Sequence, residues 1–123
     1  MASGPLPPGP GLAGTPEPPY YAVIFSSRLG PDDEGYHETA QRMDELVRRQ
    51  PGFLGADYAR GDDRVGITVA YFEDEEAIKN WRANVEHAAA RERGRSQWYD
   101  AFRLRVAKVE RHYGFTRDQR GET

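Results

Sequence analysis

The hydrophobic and polar positions of the chain change their spacing along the sequence, and each spacing predicts a different element. The continuous apolar and aromatic run YYAVIFS (residues 20–26) is typical of a buried central strand. After the turn-forming segment LGPDDEG, apolar residues recur with a helical period, which predicts an amphipathic helix over residues 36–49. The residues that set this period are Tyr36, Ala40, Met43 and Val47. A Pro-Gly pair at positions 51 and 52 ends the helix.

The second half of the chain predicts a hairpin, another helix and a last strand. Two β-prone runs, residues 53–60 and 65–72, are joined by a GDD turn and are typical of a β-hairpin. Asp74 is a good N-cap with glutamates behind it, so a continuous helix is predicted from residue 75 to about residue 93. Residues 102–110 then alternate between apolar and charged side chains, the pattern of a half-buried strand.

The predicted order β-α-β-β-α-β is that of the ferredoxin-like α+β fold. In this fold an antiparallel four-stranded sheet carries two helices on one face. We expect a single domain over residues 20–115. A disordered, solvated Pro/Gly-rich tail is expected before it over residues 1–19, and a frayed C-terminus after it over residues 116–123.

Composition and charge exclude several classes of function. The 123 residues contain no cysteine, which excludes disulfides and thiolate metal sites and fits a cytoplasmic location. The formal net charge of −3 comes from interspersed signs, so no nucleic-acid partner is expected. We expect no membrane span, secretory signal or phosphate-binding glycine loop. His37 and His112 have no partner at ligand spacing, so both are expected at the surface and no metal site is expected.

Several segments of the domain together resemble a known family. They are FSSRL (25–29), PGFLG (51–55), GITVAYFEDEEAIKNW (66–81), His87 and WYDAFRLRVAKVERHY (98–113). From Tyr20 to Phe115 the chain is similar to the antibiotic biosynthesis monooxygenase (ABM) superfamily, and within it to a small bacterial branch without an assigned reaction. The resemblance implies a homodimer of the dimeric α/β-barrel type, with a cleft between each sheet and its own helices. It also implies oxygenation of a small aromatic or phenolic molecule by dioxygen, without a flavin or metal cofactor.

Helix geometry separates polar from apolar residues around Trp81. Each residue of a continuous helix advances about 100°, so Trp81 belongs to a buried stripe whose other members lie within about 60° of it. Those members are Ile78, Val85 and Ala88. His87 would lie about 120° from Trp81, so the two rings are not expected to stack. A second, polar stripe is expected beside the apolar one, at the edge of the helix–sheet cleft: Asn80, Asn84, His87 and Arg91.

Two interpretations of the polar stripe remain open. As an active site, His87 is the candidate base for a phenolic proton, Asn84 and Arg91 stabilise the anion, and Trp81 is a stacking wall. As a purely structural feature, the stripe is a half-wet boundary that contacts the neighbouring helix or a partner subunit. The candidate catalytic residues are His87, Asn84 and Trp81, and the candidate substrate-binding residues are Ser27, Arg91, Asn80, Tyr71, Trp98 and Tyr99. The residues expected to line the space between sheet and helices are Tyr71, Phe25, Tyr36 and Met43.

The chain departs from the known members of the family at several positions, among them Ser27, which replaces an asparagine of the haem-degrading members, and these departures keep other functions open. Ala77 stands where polyketide-oxygenating members have an asparagine, one turn before Trp81, and this argues against quinone formation. Arg91 stands where haem-degrading members have their haem-ligating histidine, and arginine does not deprotonate in proteins. The alternatives are a non-catalytic dimeric ligand-binding or stress-related protein, and a haem-binding or haem-degrading relative.

Overall fold

The computed structural model describes residues 4–117, so residues 1–3 of the predicted tail and residues 118–123 of the predicted frayed end lie outside the described part. The elements are β1 (Tyr20–Leu29), α1 (Tyr36–Val47), β2 (Phe53–Arg60), β3 (Val65–Phe72), α2 (Glu75–Ala83), α3 (Val85–Arg93) and β4 (Tyr99–Val109), with a π-helical turn (Gly94–Trp98) before β4. The strands form one antiparallel sheet in the order β2-β3-β1-β4, which confirms the predicted ferredoxin-like α+β fold. None of the helices within residues 4–117 is long and apolar enough to cross a membrane.

Side chains alternate between the two faces of the sheet, and the helices cover one of them, the inner face. Val23 of β1 pairs with Ala70 of β3, and both pack against a buried cluster contributed by the helices and the end of β3. This cluster consists of Phe72, which is 1% exposed, Val47 of α1 and Ala77 of α2. The residues directly before and after Val23 and Ala70 in their strands point away from the helices, to the outer face of the sheet.

A second core cluster closes the other end of the inner face. Leu29 at the end of β1, Tyr36 at the start of α1 and Trp98 before β4 are all buried and in contact. Between Val23 and Leu29 the strand rises by about 20 Å, so the two clusters are well separated. They define a Val23 end and a Leu29 end of the inner face.

The second helix is divided at Asn84, so the prediction of one continuous helix to about residue 93 is wrong. Asn84 has φ −59° and ψ 128°, an extended conformation that ends α2 after Ala83. Its side chain caps the next helix, and α3 starts at Val85. The helical period of apolar residues continues across this point, which is why periodicity alone does not reveal the break.

Residues 4–19 fold back on the sheet, whereas the composition predicts a solvated tail over residues 1–19. Leu6 and Thr15 exchange backbone hydrogen bonds of 2.8 Å in both directions, and the chain turns between them. Thr15 is buried. The two donors of this pair are the N–H groups of Leu6 and Thr15, so the missing N–H groups of the prolines do not prevent the pairing.

This N-terminal hairpin (residues 4–19) is attached to the outer face by side chains of the sheet and of the C-terminal segment. Asp57 of β2 accepts a hydrogen bond from the backbone N–H of Ala13 at 2.8 Å. The ring of His112 is placed between the hydroxyl of Tyr20 and the carbonyl oxygen of Gly4, each 2.8 Å from one ring nitrogen. His112 is therefore a half-buried contact residue and not the free surface histidine that was predicted.

Candidate functional site

The break at Asn84 brings His87 onto the ring of Trp81. The two rings form a stacked pair, with centroids 4.0 Å apart and an angle of 10° between their planes. A continuous helix would place these side chains about 120° apart, so the prediction that they do not stack is wrong. Because the extended ψ at Asn84 redirects the chain, the first turn of α3 lies over the end of α2.

The contacts of His87 define which ring nitrogen carries the proton. Nδ1 lies 2.9 Å from the carbonyl oxygen of Trp81, and since a carbonyl only accepts, Nδ1 is the donor. A neutral imidazole has one N–H, so Nε2 keeps a free lone pair, and it has no hydrogen-bond partner within residues 4–117. This is the tautomer that a general base at Nε2 requires.

The surroundings of His87 favour its neutral form. Burial lowers the pKa of His87 below its ordinary value, and the hydrogen bond to Trp81 opposes this effect. The positive charges of Arg91 and Arg82 lower the pKa further, because a second cation nearby is repelled. His87 is therefore unprotonated at neutral pH.

Asn84 has a structural role in this arrangement. Its Oδ1 accepts a hydrogen bond from the backbone N–H of His87 at 2.9 Å and so caps α3. Asn80 is exposed on α2, while Arg91 on α3 donates from Nη2 to the carbonyl oxygen of Arg82 at 3.1 Å. The predicted straight polar stripe is not formed, since the break separates Asn80 from His87 and Arg91.

Arg91 has one buried donor for which the described residues provide no acceptor. Its Nε is buried and has no hydrogen-bond partner within residues 4–117. Burial lowers the pKa of Arg91, and the charges of Arg82 and Arg95 add to this. A buried N–H without an acceptor is costly, so this position favours a group that can accept a hydrogen bond.

Three other predicted site residues lie at the Leu29 end. Ser27 is 4% exposed, and its Oγ accepts a hydrogen bond from Nη2 of Arg60 at 2.9 Å. Trp98 is 2% exposed and donates from Nε1 to the carbonyl oxygen of Glu34 at 2.9 Å. Burial raises the pKa of Tyr99 far above its usual range, so its hydroxyl stays neutral. The structure thus divides the predicted residues into two groups, one at each end of the inner face.

Tyr71 belongs to neither group, because it lies on the outer face and not between sheet and helices as predicted. Its neighbour Phe72 enters the helix-covered core, and successive side chains of a strand point to opposite faces. The hydroxyl of Tyr71 donates to Oδ2 of Asp57 at 3.0 Å. Burial, and then Asp57, raise the pKa of Tyr71 to about 12. Tyr71 therefore supports the attachment of the N-terminal hairpin.

Arg60 is a site residue that the sequence pattern does not reveal. The pairing of β2 with β3 shifts at a bulge, so that Phe53 lies opposite Phe72 but Gly55 lies opposite Tyr71. One extra residue inverts the alternation of the strand beyond it, and the side chain of Arg60 enters the inner face. Gly55 is the signal that points to this shift, since an isolated glycine in a strand often marks a bulge.

Two clefts lie elsewhere in the described residues, and neither is lined by the stacked pair. One, of about 330 Å³, lies between α1 and α3, with Met43 and Trp98 in its wall. Arg42 and Glu86 on its two sides form an ion pair of 2.6 Å. The other, of about 650 Å³, lies between the N-terminal hairpin and β2. Within residues 4–117 no three histidine or carboxylate side chains are grouped so that they could hold a metal ion.

Comparisons with known proteins show which family the chain is similar to. Residues 19–93 match a family model described as antibiotic biosynthesis monooxygenase. The chain is 56% identical over 100 residues to the uncharacterized protein YqjZ of Bacillus subtilis, covering 81% of this chain and 88% of that protein. It is 27% identical over 92 residues to the jasmonate monooxygenase ABM of Pyricularia oryzae, covering 72% of this chain but only 43% of that longer protein.

Among solved structures, the chain is similar to SnoaB of Streptomyces nogalater, which is described as a cofactor-independent oxygenase. The TM-score is 0.66 at 14% identity, and the match covers 76% of this chain and 95% of that chain. At this level of identity the likeness establishes the shared fold alone.

Proposed function

Because the chain belongs to the antibiotic biosynthesis monooxygenase family, we propose that it oxygenates a small aromatic phenol with dioxygen, without a flavin or metal cofactor. The proposed base is His87, whose Nε2 takes the phenolic proton. The observation that carries this proposal is the stacked pair, because Trp81 holds the imidazole in the tautomer that leaves Nε2 unprotonated.

The proposed reaction needs no separate electron donor. After Nε2 of His87 has taken the phenolic proton, the electron-rich ring carbon forms a bond to dioxygen and a hydroperoxide results. Loss of the proton on that carbon breaks the O–O bond, leaves a carbonyl group and releases water. In sum, a phenol and dioxygen give a quinone and water, and Arg91 is proposed to take the place of the substrate-anchoring asparagine that this chain lacks at Ala77. The substrate loses four electrons, and dioxygen gains them as one carbonyl oxygen and one water oxygen.

The neighbours of His87 have supporting roles in this proposal. Trp81 covers one face of the imidazole and orients it through its carbonyl oxygen, so it positions the base. Asn84 fixes the start of α3 and with it the backbone of His87. The unused Nε–H of Arg91 is the proposed donor to the developing phenolate oxygen.

Two relatives support the proposed class of reaction. SnoaB, which shares the fold, is described as a cofactor-independent oxygenase. The Pyricularia oryzae relative is named a jasmonate monooxygenase. The substrate proposed for this chain is a small phenol, whose hydroxyl proton a neutral imidazole can accept.

Oxygen uptake with a panel of quinols and naphthols tests this proposal. We expect wild-type protein to consume dioxygen and His87→Ala to lose at least about 100-fold of the rate, the usual contribution of a general base. His37→Ala is the matched control, because His37 is exposed on α1 and should leave the rate unchanged. No uptake by folded wild-type protein over the panel, or full activity in His87→Ala, would contradict the proposal.

The free Nε2 of His87 also favours a second candidate function, haem binding. An imidazole that donates its other N–H to a backbone carbonyl is a common arrangement for a metal-ligating histidine. A haem titration separates the two candidates, because a Soret shift that is lost in His87→Ala would support iron ligation. If the protein neither consumes oxygen nor shifts the Soret band, a non-catalytic ligand-binding role is favoured instead.

We also propose that the working unit is a homodimer formed through the outer face of the sheet. The N-terminal hairpin covers the Tyr20 end of this face, whereas Ile67 at the other end is 48% exposed. A small domain gains stability when such a surface is buried by a second copy. Sedimentation should show a dimer, and a monomer at micromolar concentration would contradict this proposal.

A further inference from the structure

Arg60 crosses the inner face at the Leu29 end and reaches the central strand. It is paired with Gly66 of β3, and a Cβ at Gly66 would lie 2.6 Å from Cζ of Arg60. The guanidinium therefore occupies the space that a side chain at position 66 would fill. Beyond the glycine, Nη2 and Nη1 donate to Oγ and to the carbonyl oxygen of Ser27 at 2.9 and 3.2 Å. These contacts fix the positive charge against the sheet.

Two tyrosine hydroxyls lie against this guanidinium. Nε of Arg60 donates to the hydroxyl of Tyr58 at 3.2 Å, and Nη2 donates to the hydroxyl of Tyr36 at 3.3 Å. Cζ of Arg60 lies 6.0 Å from the ring centroid of Tyr58 and 5.7 Å from that of Tyr36. A hydroxyl that accepts from a cation keeps its own proton to donate.

Arg60 has no carboxylate partner among the described residues. The ion pairs within residues 4–117 belong to Arg42, Arg48 and Arg64. The side chain of Arg60 is half-buried, and arginine stays charged in proteins. A partly desolvated cation without a counter-charge favours the binding of an anion.

The inner face beside Arg60 is lined with aromatic rings. The ring of Phe25 lies 5.4 Å from that of Tyr99 and 5.5 Å from that of Phe102. Leu104, the next inner-face residue of β4, is 46% exposed and extends this apolar surface. An aromatic ring next to the guanidinium would therefore be in contact with other rings.

We propose that Arg60, Tyr36 and Tyr58 form a receptor for an anionic oxygen, either a carboxylate or a phenolate, on an aromatic ligand. All five N–H groups of Arg60 are engaged by the protein, so the two phenols donate to the ligand and the guanidinium supplies the charge behind them. Tyr58 is 57% exposed and forms the entrance, while Tyr36 is 7% exposed and forms the floor.

This oxyanion receptor lies at the Leu29 end, about 13 Å along β1 from the Val23 cluster against which Trp81 packs. It is a binding property and requires no turnover. Its test is therefore separate from oxygen uptake and from His87.

Two aromatic probes measure the preference of the receptor for an anion. The absorbance of 4-nitrophenol reports its ionisation, and we expect binding to wild-type protein to lower its apparent pKa by about one unit, a tenfold preference for the phenolate. For a carboxylate, 2-naphthoate is compared with the neutral 2-naphthamide, and we expect the anion to bind about tenfold more tightly. If only one of the two probes shows an anion preference, that probe identifies whether the receptor binds a phenolate or a carboxylate.

Three variants assign the preference to this receptor. Arg60→Gln removes the charge and should abolish the preference. Tyr58→Phe removes one donor from an exposed ring, with little effect on folding, and should reduce the preference several-fold. Arg49→Gln is the matched control, because Arg49 is exposed beyond the end of α1 and the variant changes the net charge equally.

Different results in these variants support or overturn the oxyanion receptor. Loss of an anion preference in Arg60→Gln and its reduction in Tyr58→Phe, with the preference kept in Arg49→Gln, support the receptor. Failure of the wild-type protein to bind either probe, or equal binding of the anion and its neutral counterpart, would overturn it. An equal loss of the preference in Arg49→Gln would also overturn it. If Arg60→Gln does not fold, an unchanged anion preference in Tyr58→Phe would overturn the receptor.

Discussion

At the scale of single residues, the chemistry of this chain depends on the protonation of His87. Its Nδ1 proton is held by the carbonyl oxygen of Trp81, and the ring is partly buried beside two arginines. Burial and neighbouring positive charge both disfavour imidazolium, so the pKa is lowered in the folded chain. The same effect couples the folding equilibrium to pH.

We predict that the free energy of unfolding falls as the pH is lowered through about 6.5, the ordinary pKa of histidine. Below that pH the unfolded chain binds a proton that the folded chain does not, and the loss ends once the folded His87 is also protonated. Urea unfolding of wild type and His87→Phe between pH 5 and pH 8 measures this, because phenylalanine keeps a ring on Trp81 without the titration. Equal pH slopes in the two proteins would contradict it.

The approach of Arg60 to Gly66 gives a second prediction at this scale. Gly66→Ala should cost about 2 kcal/mol, because the new Cβ displaces the guanidinium from its hydrogen bonds to Ser27. In an Arg60→Gln background the cost should be much smaller, since the displaced group is absent. Gly4→Ala is the control, because a Cβ there meets no atom within 4 Å. Urea unfolding of the two single variants and the double variant measures this. If the two losses of unfolding free energy add up in the double variant, Arg60 does not fill this space.

At the scale of elements, the site depends on the break between α2 and α3. The bounds of β2 and β3 and the start of α1 follow from the spacing of apolar residues, because each of these elements has one face on the core. In contrast, β1 ends later and β4 begins earlier than this spacing predicts. The break has a different cause, the side chain of Asn84, which ends one helix and caps the next. A cap residue followed by an acid in the first turn occurs both at Asp74 and at Asn84. The sequence therefore contains a helix-start signal at Asn84, but the apolar period that continues across it predicts one unbroken helix.

We predict that Asn84→Ala destabilises the protein by about 1 kcal/mol, the usual loss for an N-cap, and separates His87 from Trp81. The ring protons of His87 should then lose the shielding caused by the indole, which NMR chemical shifts measure. Asn80→Ala is the matched control, since Asn80 is exposed on α2, and Asn84→Asp should keep the cap. An unchanged His87 shift in Asn84→Ala would mean that the cap does not maintain the stack.

At the scale of the whole molecule, contacts distant in sequence decide what the apolar pattern leaves open. The ferredoxin-like fold follows from the order of elements, but the attachment of the N-terminal hairpin does not. Proline and glycine content predicts a disordered, solvated tail over residues 1–19, because this segment lacks an apolar core of its own. The contacts of Ala13 with Asp57 and of Gly4 with His112 join segments 44 and 108 residues apart, and no local pattern encodes them. Arg60 was missed for a related reason, since its face depends on a bulge.

We predict that His112→Ala loosens the N-terminal hairpin, because the imidazole joins Gly4 to the buried Tyr20. The amides of Leu6 and Thr15, which pair with each other, should exchange with deuterium at least about tenfold faster, as expected when their local opening becomes easier by about 1.4 kcal/mol. His37→Ala, which changes an exposed histidine, is the control. Equal exchange in His112→Ala and in the wild type would show that His112 does not hold the hairpin.

The measurement that tests the central claim most directly is the protonation state of the His87 ring. Long-range ¹H–¹⁵N correlation spectra of the histidine side chains distinguish the two neutral tautomers and the imidazolium. At pH 7 the contact of His87 with the carbonyl oxygen of Trp81 predicts a neutral ring protonated on Nδ1, with an unprotonated Nε2. A ring protonated on Nε2, or an imidazolium at pH 7, would contradict the assignment of His87 as the base.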